Sequence, residues 1–247
     1  MTEPFQNYRG EPTKSAESLL LWLDSSRSPF LNMGIDESCF LECKNFEGPL
    51  LRIYDWDRPS ISIGYFQRYS EVRTKDFSIV RRPTGGGVVV HDRDLTYSLI
   101  IPSRHWFYGV KRAESYGLIG KIIITALREV GVQAVFAENY SRKLQFSSNT
   151  LCFETPVRYD VVDGTNNKKL AGAAQKRSQE GLLHQGSILL QDLSFLNRRK
   201  IIESLAAQFK LYFKSKLKLF KPSSQLLNQA DLLTTKKYSE STWNRKK

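Results

Sequence analysis

Arg81-Arg82-Pro83-Thr84-Gly85-Gly86-Gly87-Val88-Val89-Val90-His91-Asp92 is the stretch on which the reading of this chain turns. Three successive glycines separate a strand-like run, Phe77 to Val80, from a second apolar run, Val88 to Val90. Glycine tolerates positive φ and, having no Cβ, lets bare backbone approach a ligand closely. The two arginines before it offer fixed donors for a carboxylate or phosphate, and His91-Asp92 follows. Such a loop suits an anionic or carbonyl-bearing group held against backbone N–H. Glycine-rich turns also occur as plain hairpins. The stretch is neither a Walker loop, which ends Gly-Lys-Ser/Thr, nor the spaced Gly-x-Gly-x-x-Gly of dinucleotide folds.

Outward from the loop, the pattern is that of an α+β domain with mixed, mostly antiparallel sheets and flanking helices. Leu19 to Leu23, Leu50 to Trp56 and Ser60 to Gly64 are strand-like, the last two joined through a turn with Arg58-Pro59. Asn32 to Cys43 reads as a helix with Asn32 as N-cap and Met33, Asp36, Glu37 and Phe40 at helical spacing. Alternation in Leu95-Thr96-Tyr97-Ser98-Leu99 predicts one buried and one polar face. Ala113 to Val130 is an amphipathic helix stopped by Gly131. Strand-like segments recur at Val132 to Phe136, Thr150 to Phe153, Arg158 to Val162, Lys169 to Ala174 and Gly186 to Leu190, with a turn at Asp163 to Asn167. Helical patterns over Arg198 to Leu219 and Ser223 to Tyr238 close the chain.

The expected organisation is an N-terminal extension over 1–17 and one catalytic domain over 18–247. Its helical end, 197–247, is basic, and no accessory C-terminal domain is expected. Of the formal charge of +12, residues 197–247 carry thirteen Lys/Arg against three Asp/Glu; the preceding 196 residues carry 24 against 22. Such clustering favours an acidic partner, protein or nucleic acid, or is simply a solvated helical surface. Charges interrupt every apolar run, so no membrane span or secretory signal is expected. Three cysteines, Cys39, Cys43 and Cys152, imply no paired framework, and a reducing cytoplasm is the economical location.

Two further segments could carry chemistry. In Lys168-Lys169-Leu170-Ala171-Gly172-Ala173-Ala174-Gln175 a lysine precedes a strand of small residues that clear space beside the backbone; an ordinary hairpin with a surface lysine reads the same way. Cys152, one hairpin earlier, is a small hydrophobe unless Lys169 sits across from it, where an ammonium would favour the thiolate. Cys39 and Cys43 lack convergent histidines, and His91, His105 and His184 form no recognisable ligand cluster, so no metal site is expected. No Gly-x-Ser-x-Gly elbow is present, which leaves a Ser-His-Asp hydrolase unsupported.

The three blocks 81–92, 168–175 and Gly-Ser-Ile-Leu-Leu (186–190) together resemble the lipoate/octanoate attachment family, which shares the biotin/lipoate protein ligase catalytic-domain fold. Asn-Met-Gly-Ile-Asp-Glu (32–37), Ser-Ile-Gly-Tyr-Phe-Gln (62–67) and Lys-Lys-Tyr-Ser-Glu-Ser-Thr-Trp-Asn (236–244) match weaker family patterns; the Gly-Arg-Gly-Arg loop of biotin ligases is absent. The resemblance implies Cys152 and Lys169 as catalytic residues. It implies Arg82, Gly85, Gly86, Gly87, Val88, Val89, Val90, His91, Gly172, His184 and Gly186 as substrate-binding residues. Ala173 departs from the family's usual serine after the motif glycine, and His184-Gln185-Gly186 departs from Gln-His-Gly.

Two chemistries follow from the resemblance. A cysteine-type transferase moves octanoyl or lipoyl from a thioester, such as an acyl carrier protein, to the lysine of an apo lipoyl domain, and needs no cofactor. An ATP-dependent lipoate–protein ligase starts from free lipoate and needs ATP and Mg. The transferase is favoured, because an activated Cys152 is useful only for that route. The implied carriers are acidic lipoyl domains, such as dehydrogenase E2 subunits or the glycine cleavage H protein. A basic nucleic-acid-binding module is the competing non-enzymatic reading; with little aromatic interleaving, nucleic acid is the less expected partner.

Overall fold

A computed structural model describes residues 18–72, 74–137, 156–189 and 198–246. In chain order the strands are β1 (Ser18–Arg27), β2 (Leu50–Trp56), β3 (Ser60–Ile63), β4 (Ser78–Arg81), β5 (Val89–His91), β6 (Asp94–Pro102), β7 (Ala134–Phe136), β8 (Val161–Asp163), β9 (Lys169–Ser178), β10 (Gly181–Leu189) and β11 (Lys216–Leu219). The helices are α1 (Pro29–Glu42), α2 (Arg112–Glu129), α3 (Arg198–Tyr212), α4 (Ser224–Leu233) and the short α5 (Ser241–Asn244). Eight strands form one sheet in the order β11-β1-β2-β6-β10-β9-β8-β7, and β4-β3-β5 form a second. β1 runs parallel to β11 and β2, and β3 to β4; the other pairs are antiparallel. The expected Thr150 to Phe153 strand lies outside the described residues.

Period-two alternation with apolar side chains on both faces makes the large sheet the middle layer. Leu19, Leu21, Leu51, Ile53, Leu99 and Ile101 pack under α2 and α3. Their neighbours Leu20, Trp22, Leu50 and Ile100 pack with Ile35 and Phe40 of α1 and Leu226 and Ala230 of α4. The predicted polar face of β6 is therefore buried as well. Thr96 accepts from Trp56 Nε1 at 2.8 Å, and Ser98 donates to Asp36 at 2.8 Å, so the polar positions face a buried network under α1 instead of solvent.

Three local expectations are corrected. Ser28, followed by Pro29 at the first helical position, caps α1 by accepting from Leu31 N; the proposed cap, Asn32, lies one turn inside and is buried. The helix predicted over Arg198 to Leu219 stops at Tyr212. Lys214 adopts φ 50°, and the alternating Lys-Leu-Lys-Leu that follows pairs in parallel with the start of β1. The 223–238 segment begins as predicted, capped by Ser223, and its last turn, Thr234–Tyr238, is π-helical.

At the centre of the α1 side, the fully buried Arg52 donates to Asp24 Oδ2 at 2.8 Å, Asp36 Oδ1 at 2.7 Å and Asn32 Oδ1 at 2.8 Å. A bulge in β1 between Leu23 and Ser26 brings Asp24 to this cation. Removing one partner of such a group strands the other in the interior. Asp36→Ala is expected to cost about 3–5 kcal/mol in urea unfolding.

The acid limb of stability follows from the same cations. Burial raises the pKa of Asp24, but Arg52 and Arg27 outweigh it; burial raises that of Glu37, but Lys237, Lys176 and the Tyr238 hydroxyl outweigh it. Both carboxyls end below their ordinary values. Their contribution is therefore complete above the unfolded-state pKa near ~4 and lost as pH falls through the lower folded values. Burial also pushes the pKa of His105 down to about 4 and that of His184 to about 3, so both are charged in the unfolded chain before they are in the folded one. Urea midpoints are expected to fall already between about pH 7 and pH 5 and to fall further below about pH 4 as the two carboxyls protonate.

Candidate active site

The glycine loop is held from below by the arginine that precedes it. Arg82 Nε and Nη2 donate to Gly85 O (3.1 and 2.7 Å), Nη2 also to Gly87 O (2.7 Å), and Nη1 to Ser62 O (2.9 Å) and Ser62 Oγ (3.2 Å). These contacts use every N–H direction of the guanidinium. Arg82 thus lines the cavity and at the same time staples the loop. Gly86 has φ +83°, and a Cβ there would lie 2.9 Å from Arg82 Nη2; a Cβ on Gly64 would lie 2.0 Å from Gly86 O. Glycine is required at both positions. Among the described residues, no backbone amide of Gly85, Gly86 or Gly87 donates a hydrogen bond, so these N–H groups remain available to a ligand oxygen.

Across the cavity, Lys169 opens β9. The register of β8 on β9 shifts between Val161 and Val162, which face Ala171 and Lys169, and such an irregularity re-aims side chains. Lys169 Nζ lies 2.7 Å from Asp160 Oδ2, both side chains being nearly inaccessible. Burial is the largest influence on Asp160 and raises its pKa above the ordinary value, against the opposing pull of Lys169. Gly172 makes room for this pair: a Cβ there would fall 2.7 Å from Lys169 Cε, 2.9 Å from Nζ and 3.2 Å from Asp160 Oδ1. Gly186 does the same for Tyr97, whose ring would meet its Cβ at 2.3 Å. The lysine of the small-residue strand is therefore buried at the cavity wall, and the surface-hairpin alternative is set aside.

His91 closes the third side, stacked on Trp56 with ring centroids 3.9 Å apart. Its Nδ1 lies 2.8 Å from Asp94 Oδ2 and its Nε2 2.8 Å from Ser62 Oγ. Asp92, its neighbour in sequence, is exposed. Asp94 also accepts from Ser187 Oγ (2.6 Å) and Thr96 Oγ1 (2.7 Å). Burial raises its pKa, but His91 and these hydroxyls more than offset it, and the carboxyl is held below the ordinary range.

The resulting cleft has about 470 Å³ of atom-free space, its open mouth included. It brings together Arg82, Gly86, Val89, His91, Lys169, Gly172 and Gly186 from the expected residues, with Met33, Tyr54 and Trp56 as apolar lining. Of the other loop glycines, Gly85 and Gly87 are outside its lining and accept from Arg82 through their carbonyls. Val88 and Val90 turn away to pack with Ile61 and Ile63. His184 lines an adjoining cavity with Tyr97, Tyr116 and Asp160, and Gly172 and Ala173 border both spaces. There it lies 3.0 Å from Gln175 Nε2 and 3.2 Å from Tyr97 OH, and burial, helped by Arg177, pushes its pKa down to about 3. Cys152 lies outside the described residues.

A buried lysine–aspartate pair thus stands across a cleft from a glycine loop, on a sheet with helices on both faces. Residues 28–209 match the lipoyl protein ligase A/B catalytic domain, and the chain belongs to that family. It is 38% identical over 173 residues to octanoyltransferase LipM of Kyrpidia tusciae, covering 66% of this chain and 62% of the relative. It is 32% identical over 208 residues to octanoyltransferase LipM of Bacillus subtilis, covering 76% and 74%. The chain spans between 62% and 65% of the length of the first four such relatives. A Thermoplasma acidophilum bi-partite lipoate protein ligase, described with its E2 lipoyl domain, shares the fold at TM-score 0.72 and 21% identity, over 92% of this chain and 96% of that one.

Sequence reasoning missed Ser62 as a partner of His91, and it missed Asp94 and Asp160. The available signals were slight: an acidic residue three after His91, opening the next strand, and an acidic residue inside an otherwise strand-like run at 158–162. Arg82→Lys keeps the charge but can serve at most three of these acceptors; a loss of about 1–3 kcal/mol in urea unfolding is expected, from buried carbonyls left unpaired.

Proposed function

We propose that this protein transfers an octanoyl or lipoyl group from a thioester donor to the lysine of a lipoyl carrier domain. The observation that carries the reading is the Lys169 ammonium, buried 2.7 Å from Asp160 at the wall of a glycine-floored, partly apolar cleft, in a chain whose relatives are octanoyltransferases. Asp160 fixes the ammonium, and Gly172 leaves it room. A fixed cation beside a reacting carbonyl stabilises the developing oxyanion without reorganisation. The amides of the 85–87 loop supply the same chemistry.

In this proposal Cys152 Sγ attacks the acyl carbonyl, the donor thiolate leaves, and the carrier lysine amine then takes the acyl group from the enzyme thioester. Cys152 enters through the family resemblance, and Lys169 would favour its thiolate. Thioester to amide is downhill, so neither ATP nor Mg is needed, whereas a free carboxylate requires ATP coupling. Burying the acyl chain against Met33, Tyr54 and Trp56 would contribute roughly 0.8 kcal/mol per CH₂. The carriers proposed are acidic lipoyl domains of the dehydrogenase E2 or glycine cleavage H type, with an acyl carrier protein as donor. No helix among the described residues is long and apolar enough to cross a membrane; a cytoplasmic location belongs to the same proposal.

The test supplies an apo lipoyl domain with octanoyl-acyl carrier protein alone, or with free lipoate plus ATP and Mg, and weighs the carrier by mass spectrometry. Product is expected from the first mixture and not the second, with Cys152→Ala inactive. Lys169→Met and Gly172→Ala are expected to be slowed about 10²-fold or more. Product from the ATP mixture alone, with Cys152→Ala fully active, would overturn the proposal.

A further inference from the structure

Ser62, His91 and Asp94 form a hydrogen-bonded chain within the cleft that the acyl transfer through Cys152 does not use. Ser62 lies on β3, His91 ends β5, and Asp94 opens β6 of the other sheet, so the chain joins the two sheets. The distances are 2.8 Å from Ser62 Oγ to His91 Nε2 and 2.8 Å from His91 Nδ1 to Asp94 Oδ2. Asp94 also receives hydroxyl protons from Thr96 and Ser187. An ionised Asp94 can only accept, which places a proton on His91 Nδ1 and leaves the Nε2 lone pair toward the Ser62 hydroxyl. Trp56 fixes the ring plane by stacking at 3.9 Å. Arg82 Nη1 lies 3.2 Å from Ser62 Oγ and sets a permanent positive charge beside that hydroxyl, which favours loss of its proton. Ser62, His91 and Arg82 all line the cleft together with Gly86 and Lys169.

A hydroxyl poised to give its proton to an imidazole that a carboxylate orients is recognised by geometry, whatever the order of the residues in the chain. Here the order is Ser, His, Asp on adjoining strands, without the strand-to-helix elbow whose absence leaves such a site invisible in the sequence. We propose that Ser62 is a second nucleophile of this cleft and that it hydrolyses medium-chain acyl esters and thioesters, with His91 as base and Asp94 as positioning residue. Ser62 Oγ bonds to the acyl carbon while its proton passes to His91 Nε2. The carbon–sulfur or carbon–oxygen bond of the donor breaks, and the leaving thiol or alcohol takes that proton. Water then attacks the acyl-serine, gives a proton to His91, and Ser62 leaves reprotonated; the products are a free fatty acid and a thiol or alcohol. The acyl chain length rests on the acyl-transfer reading of the cleft, whereas the nucleophile does not.

The experiment uses the full chain carrying Cys152→Ala, with p-nitrophenyl octanoate as substrate and an alkyl fluorophosphonate as probe. Hydrolysis is expected to persist in Cys152→Ala and to fall about 100-fold or more when Ser62→Ala or His91→Gln is added. The probe is expected to leave one covalent adduct on the peptide bearing Ser62, in the unsubstituted protein as well, which keeps the test valid if Ser62→Ala fails to fold. No adduct at Ser62, or a rate unchanged in a folded Ser62→Ala variant, overturns the proposal. Failure of the unsubstituted protein to acylate the carrier, with the Ser62 adduct formed, would count against the transferase reading alone.

Discussion

Arg81 and Arg82 leave the end of β4 in different directions, and the site depends on where their donors go. Arg82 turns under the glycine loop and binds the carbonyls of Gly85, Gly87 and Ser62. Arg81, fully buried, binds the carbonyls of Gly64, Tyr65 and Gln67 on one side and of Trp243, Asn244 and Lys246 on the other. One arginine thus shapes the loop that faces the cleft. The other ties the adjacent turn to the far end of the chain. Burial lowers the pKa of Arg81 from its ordinary value, yet a guanidinium remains charged in proteins. Its cost of burial is met by carbonyl dipoles at the end of α5 and in the 64–67 turn, an arrangement that needs both segments present.

From the loop the constraint passes into the core without a gap. Thr84 Oγ1 donates to Gln185 Oε1 at 2.7 Å, Gln185 Nε2 donates to Asp36 at 2.7 Å, and Asp36 accepts from Arg52 at 2.7 Å. Asp36 also accepts from Tyr54 OH and Ser98 Oγ. The loop is therefore placed by β10, α1 and β2 at once. A fully satisfied buried network of this kind fixes positions more sharply than apolar packing, because each missing partner leaves a desolvated polar group. Precise placement is what a site built on bare amides and one ammonium requires.

Much of the fold was legible in the sequence because its signals are local. The glycine loop, the small residues of β9, the stop at Gly131 and the 163–167 turn all announce themselves through backbone needs, and the structure meets them with φ +90° at Gly131 and φ 60° at Asn167. Part of what stayed hidden depends on contacts distant in sequence. Alternation in β6 correctly separated two faces but could not reveal that the polar one is roofed by α1. Helical and strand patterns overlap in Lys-Leu-Lys-Leu, where only pairing with β1 decides. The side-chain partners were hardest: Asp94 for His91, Asp160 for Lys169, and the loop carbonyls for Arg82. These partners lie near in sequence, and it is the geometry of the turns and strand ends between them that selects which one meets the side chain.

The basic C-terminal segment shows the same difference between composition and use. Of its thirteen Lys/Arg, Lys237 pairs with Glu37 and lies over the Trp243 ring at 4.1 Å, while Lys246 lies 3.6 Å from that ring centroid on its own account. Arg198 binds Asp55, Lys218 binds Glu47, and Arg245 lies over Tyr69. These contacts are structural, and they dock the chain end beside Arg81. They do not cancel the field, because the acidic partners Glu37, Glu47 and Asp55 already count in the near-neutral first 196 residues. At physiological salt the field decays over about 8 Å, so a proposed acidic carrier would sense the net charge on approach and individual lysines only on contact. Steering toward this face can therefore coexist with cations that are committed to holding the fold.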